Sequence, residues 1–194
     1  AAVLQNLYEL QFLVSKYADI LEERFTTSIT DAMVEAQLAE NDSADTTITK
    51  DIGIILFSTD KYGSVEDAKT QAESVLAELE LEDSITADIF GEYAEENSDS
   101  NDIFFNNVSD DDMMTQIDNW LFGDESRSVG DIDVITTDYG ASIIYYESEG
   151  DAKNIAEAKV ALVDKMFEGW YNQSKSLYDT GITDKMVEGL ELDF

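Results

Sequence analysis

Ile52-Gly53-Ile54-Ile55-Leu56-Phe57 is the stretch on which the reading of this chain turns. Its β-branched and aromatic residues leave no polar face, the pattern of a short strand buried on both sides. Working outward, Gly63 and Ser64 turn the chain into a helix, with Ser64 as N-cap and Asp67 completing a capping-box-like pair. That helix presents Ala68, Ala72, Val75, Leu76 and Leu79 to a core. A shorter helix is expected from about Thr86 to Ala94, then a polar loop through Ser98, Asp99, Ser100 and Asn101. Ile103 to Phe105 is a candidate short strand. Asp110 to Asp112 are read as opening another helix, through Met113, Ile117 and Trp120 to Phe122. Two strands close the block, Ile132 to Thr136 and Ala141 to Tyr146, joined by Thr137-Asp138-Tyr139-Gly140. The order β-α-α-β-α-β-β defines a compact α+β domain with a small sheet and surrounding helices.

The flanks change period. Leu7, Leu10, Val14, Tyr17 and Leu21 fall three and four apart, one apolar helical face, and Thr30 caps a second helix from Asp31 to about Glu40. Asn41 to Thr46 is a polar break. From Ala152 the pattern is helical again, with Ile155, Ala158, Leu162, Met166 and Trp170 on one side, and a last helix is expected after Thr183. Ile182 to Glu188 echoes Ile29 to Glu35, which two similarly capped helices explain without an internal duplication. The expected organisation is therefore residues 1–49 and 150–194 packing into one helical lobe, with an α+β domain at 50–149 inserted between them. Helical ends without a full partner leave a homodimer by exchange open.

Composition narrows the function. Of 194 residues, 44 are Asp or Glu and 11 Lys or Arg, a formal charge of -33, yet 43% are hydrophobic, so this is not a disordered acidic tail. A field of that sign repels phosphate backbones and anionic headgroups, which excludes nucleic acid and disfavours a membrane-surface role. It attracts basic peptides or divalent cations, although a solubilising exterior is its plainest reading. The chain has no histidine and no cysteine, so triads, Cys–His pairs and His- or Cys-ligated metals are excluded. No Gly-rich phosphate loop is present. Carboxylates are too abundant for any pair to be singled out as acid and base. Asp110-Asp111-Asp112 and Ser98 to Asp102 offer hard oxygens but lack the spacing of an EF-hand loop, so no metal and no cofactor is expected. Absence of cysteine suits an exported bacterial protein. No segment is apolar enough to span a bilayer, and the opening Ala1-Ala2-Val3-Leu4, already in a helical pattern, suggests that an export signal has been removed.

Phe104, Phe105, Met113, Met114, Ile117 and Phe122 stand on the candidate strand and the helix after it. They have two readings: plain core, or an apolar groove for a peptide side chain, for which adaptable methionine is well suited.

The block from about Asp51 to Glu149 resembles a parvulin-type peptidyl-prolyl isomerase domain. Ile54-Ile55-Leu56-Phe57 with Glu66-Asp67-Ala68 and Ala72-Glu73 is similar to the family's opening strand and helix. Phe90, Tyr93-Ala94 and Asn97-Ser98-Asp99-Ser100 resemble its Phe-x-x-Leu-Ala…Ser-x-Asp/Cys segment. Trp120-Leu121-Phe122, Gly130-Asp131 and Thr137-Asp138-Tyr139-Gly140 resemble its closing helix and hairpin. The helical flanks are similar to those of the PrsA/SurA group of extracytoplasmic foldases, in which such helices form a chaperone lobe for unfolded clients.

The resemblance implies a protein-folding factor, secreted or at the surface of a Gram-positive bacterium, with unfolded or proline-containing polypeptides as partners. A membrane would be reached only through an anchor outside this chain. It also implies a site: Ile54, Ser100, Thr137 and Ser142 in the catalytic positions, and Phe105, Met113, Ile117 and Phe122 at or near the proline pocket. Two departures qualify it. The histidine that parvulins carry before the Ile-Leu pair is Ile54 here, and the one two residues after the hairpin glycine is Ser142. Ser100 stands at the Asp/Cys position, and of the polar core Thr137 alone matches. Isomerase activity is therefore expected to be reduced or lost, the alternative being a non-enzymatic chaperone or scaffold with a vestigial parvulin fold.

Overall fold

A computed structural model describes residues 2–40 and 44–177. The helix expected after Thr183 and the echo at Ile182 to Glu188 lie outside the described residues. The chain forms two compact units, one from residues 1–43 and 157–194, the other Ala44–Ala156.

The central unit is built on β1 (Ile48–Ser58). A short helix α3 (Thr59–Tyr62), not anticipated from sequence, precedes Gly63. Helix α4 (Val65–Leu79) follows, and Ser64 caps it by accepting the Asp67 N–H at 3.1 Å. Helix α5 (Ala87–Asn97) starts the same way from Thr86. Strand β2 (Phe104–Val108), helix α6 (Thr115–Phe122), and strands β3 (Ile132–Thr137) and β4 (Gly140–Ala152) complete it. The sheet is antiparallel throughout, in the order β2-β1-β4-β3. The two central strands carry the unbroken apolar runs, as burial on both faces requires.

Those two faces hold separate cores. Ile55, Phe57, Ile143 and Tyr145 point to one side, where α4 contributes Ala68, Ala72, Val75 and Leu79 and α5 contributes Phe90 and Ala94. Ile52, Ile54, Ile144 and Tyr146 point to the other, covered by Ile117, Trp120 and Leu121 of α6. The alternation of side chains along a strand produces this division directly. At the β3–β4 turn, Gly140 has φ 146° and lies so close to the Phe57 carbonyl that a β-carbon there would collide with it.

Two expectations are corrected. Helix α6 does not open at Asp110 to Asp112: Asp111 has φ +72°, and Asp112 Oδ2 accepts the Ser109 N–H at 2.7 Å. Aspartate side chains that favour a helix start also favour local turns, and here the turn prevails. Strand β4 also runs beyond Tyr146 to Ala152, pairing with β1 back to Ile48 through two register shifts. A polar network fixes that bulged end. Asn107, at φ +56°, accepts the Asp151 N–H on Oδ1 at 2.7 Å, and its own N–H donates to Asp51 Oδ1 at 2.8 Å. The buried Thr49 hydroxyl donates to the Asp151 carbonyl at 2.6 Å.

The helical unit contains α1 (Ala2–Ser28), α2 (Asp31–Glu40) and the greater part of α7 (Lys153–Leu177). Thr30 caps α2 through the Met33 N–H. Phe25 meets Phe167 edge-on at 5.1 Å, and Tyr17 lies 5.8 Å from Trp170. Of the predicted α1 face, Leu21 is buried, Val14 and Tyr17 are exposed, and the side chains of Leu7 and Leu10 are outside the description. Ala158 is buried, and Leu162, Met166 and Trp170 are half-buried on α7. No described helix is long and apolar enough to cross a membrane.

Candidate functional site

The α6 side of the sheet gathers most of the candidate residues. Ile54 is directly opposite Ile144, and Ser142 is opposite Leu56 in β1 and Ile135 in β3. Ile54 and Ser142 are thus diagonal neighbours on one face. Thr137, two residues beyond Ile135, belongs to the same face at the hairpin, where its Oγ1 accepts the Tyr139 N–H at 3.2 Å. Ile117 is buried against Ile54 in the second core, with Phe105, Met113 and Phe122 half-buried around it.

Ser142 is only 5% exposed, but the one fully buried side-chain polar atom without a partner among the described residues is Asn154 Oδ1, so the Ser142 hydroxyl is not a buried orphan. As a hydroxyl it can both donate and accept. Ile54 offers apolar surface alone.

Ser100 is not part of the apolar cluster. It sits in the loop that continues the sheet edge beyond β2. There Leu56 N–H donates to Ser98 Oγ at 3.2 Å, Asp99 N–H to the Leu56 carbonyl at 2.8 Å, and Ser58 N–H to Asp99 Oδ2 at 2.8 Å. Ser100 Oγ accepts the Asp102 N–H at 3.1 Å. Burial acts to raise the Asp99 pKa, but Lys61 at 2.6 Å and the Ser58 N–H hold it below the usual value.

One group escaped the reading from sequence. Asp118, on α6 beside Ile117, is buried, and its carboxylate lies within 4.8 Å of those of Asp110 and Asp111. Burial, then the charges of Asp110, Asp111 and Asp112, raise its pKa. The sequence signal was present as four acids within one short segment, but nothing in a helical pattern says that the fourth turns inward.

Taken as a surface, the face offers apolar side chains, one hydroxyl and an acidic margin. Its apolar side chains come from β1, β2, β4 and α6.

A four-stranded antiparallel sheet with these helices, inserted between helices from the two ends of the chain, is an α+β fold of the parvulin-like kind. The chain is similar in structure to PrsA from Bacillus subtilis, known from a crystal structure, with a TM-score of 0.50 and 15% identity, covering 100% of this chain and 69% of that one. No family model and no curated protein matches the sequence.

Proposed function

We propose that this chain is an extracytoplasmic protein-folding factor that holds unfolded or proline-containing polypeptide on the α6 face of its sheet. Phe105, Met113, Ile117 and Phe122 supply the apolar contact, Ser142 and Thr137 the polar floor. The observation that carries this reading is the half-buried cluster of aromatic and sulfur side chains, with the Ser142 hydroxyl on the same face of the sheet. The PrsA-like fold supports it, as does the resemblance of the quoted motifs to parvulins.

Prolyl isomerisation crosses a barrier of about 18–20 kcal/mol with no covalent intermediate, so an apolar pocket that strains the amide accelerates it without acid or base. With Ile54 and Ser142 in the histidine positions, the hydrogen-bonded floor is reduced and the activity is low or absent. The test is twofold. Peptide binding, followed through the fluorescence of Trp120 in α6, is expected to be measurable, and proline isomerisation far slower than for an ordinary parvulin. A parvulin-like rate would overturn the part resting on Ile54 and Ser142; absence of peptide binding would overturn the reading itself.

A second reading, in which the helical unit does the work, draws on α1. Tyr8, Phe12, Leu13, Val14, Tyr17 and Ile20 are all exposed there, beside a cleft of about 470 Å³ lined by Leu21, Phe25, Met166 and Trp170. Aggregation suppression lost on Phe12→Ser with Tyr17→Ser, but unaffected by Phe105→Ala, would favour it.

A further inference from the structure

One row of the helical unit is apolar and uncovered by any described residue. Leu13, Tyr17 and Ile20 stand at i, i+4 and i+7 on α1, and all three are more than half exposed. Arg24 continues the row at i+11 and lines the cleft of about 470 Å³ with Tyr17, Met166 and Trp170. No ion pair joins Arg24 to a described carboxylate. Its neighbours three and four residues away, Ile20, Leu21, Thr27 and Ser28, bring it none, in a chain with 44 acids and 11 bases.

The chain itself carries a segment that fits this row. Helices α1 and α7 run antiparallel: Tyr17 meets Trp170, Phe25 meets Phe167, and Ser28 Oγ donates to Met166 Sδ at 3.7 Å. Leu177, at the end of α7, therefore lies about 10 Å further than Trp170 toward the start of α1. Residues 178–194 follow, with Asp179-Thr180-Gly181 suited to a turn. Ile182, Met186, Leu190 and Phe194 then recur every fourth residue with Val187 beside them, an apolar stripe of helical period. In helical form residues 182–194 would span about 20 Å, against about 17 Å from Leu13 to Arg24. Asp193 falls on that stripe at the end that reaches Arg24, so the charges are complementary. A second copy of the chain is the weaker candidate, because each copy carries -33 and two repel. A tether of a few residues instead holds the segment at an effective concentration on the order of mM.

We propose that residues 182–194 dock on the row formed by Leu13, Tyr17, Ile20 and Arg24 and cover it within the same chain. The proposal is independent of peptide binding at the α6 face. A client that uses α1, as in the second reading above, has first to displace this segment.

The chain has no cysteine, so single thiols introduced into the full chain report the face. Met186→Ser with Leu190→Ser should raise the labelling rate of Ile20→Cys about tenfold, as on release of a segment docked about nine-tenths of the time. Labelling of Asp19→Cys, off the row, should not change. A synthetic peptide of residues 182–194 should protect Ile20→Cys again in the serine variant and add nothing in the parent. Arg24→Gln should lower the protection in the parent. Equal labelling of Ile20→Cys with and without the two serines would overturn the proposal. Protection lost on dilution would also overturn it, because the occupant would then be a second copy. If the serine variant does not fold, the decision passes to oxidation of the otherwise unaltered chain. Tyr17→Cys with Leu190→Cys should then close a disulfide within one chain, and Asp19→Cys with Leu190→Cys should not. No disulfide in the first pair, or the same yield in both, would overturn the docking.

Discussion

Gly53 and Phe90 share one volume: a β-carbon on Gly53 would lie 2.6 Å from Phe90 Cε1 and 2.8 Å from Cδ1. Phe90 is fully buried and stacks on Tyr145, the residue opposite Gly53 in the sheet, with centroids 5.0 Å apart. The ring of α5 thus rests on the bare backbone of β1. Gly53→Ala is expected to cost about 1–3 kcal/mol, because overpacking a rigid core outweighs the roughly 0.5–1 kcal/mol that alanine gains over glycine in a strand. Urea unfolding measures it, and Phe90→Leu should recover part of the loss in a double-mutant cycle.

Asn107 is the acceptor that holds the Asp151 N–H at the bulged end of the sheet, in a left-handed conformation. Asn107→Gly keeps the conformation and loses the acceptor, an expected cost of about 1–3 kcal/mol. Asn107→Ala should be worse by roughly a further 1 kcal/mol, the penalty of a β-carbon in that region. Equal stability of the two variants would show that the backbone relaxes out of it.

Asp118 gives the protein a pH dependence of defined sign. Folding raises its pKa, so between the ordinary carboxylate value and the raised one the folded state binds the extra proton. Stability from this group therefore falls as pH rises through that window. Asp118→Asn should stabilise the protein at neutral pH and make little difference at about pH 2–3, well below the ordinary aspartate value, where the carboxyl is protonated in both states. Asp99, Glu40 and Asp45, whose pKa values folding lowers, act in the opposite sense. They are common to parent and variant, so the difference between two unfolding curves isolates Asp118.

Introducing histidine at both positions tests the proposed account of activity. Ile54→His with Ser142→His is expected to raise proline isomerisation, and at the same time to cost about 1–3 kcal/mol, since Ile54 is packed in a core. An isomerase rate unchanged in a variant that still folds would place the limitation elsewhere.

What could be seen in advance follows the range of the interactions. The caps at Thr30, Ser64 and Thr86 were legible because donor and acceptor lie three residues apart. The strand at Ile52 to Phe57 was legible because its burial on both faces leaves an unbroken apolar run. The start of α6 was misread because aspartates at Asp110 to Asp112 suit a turn and a helix start equally. The continuation of β4 through Glu147 to Asp151 was hidden, since polar residues there pair through the backbone and the Asn107 network. Phe90 over Gly53 and Asp118 beside Asp110 depend on tertiary placement, which periodicity does not encode. Within the site, the resemblance pointed to Ile54 and Ser142, and pairing register puts both on one side of the sheet.

Strand β2 covers only the first half of β1. Along the second half, Ile103 takes the Ile54 N–H, Ser98 and Asp99 take both backbone groups of Leu56, and Asp99 takes the Ser58 N–H. An extended chain arriving here finds these four main-chain groups of β1 already bonded, which discourages its pairing as a further strand along this border. Closed in this way, the border offers a poor template for edge-to-edge association of one sheet with another.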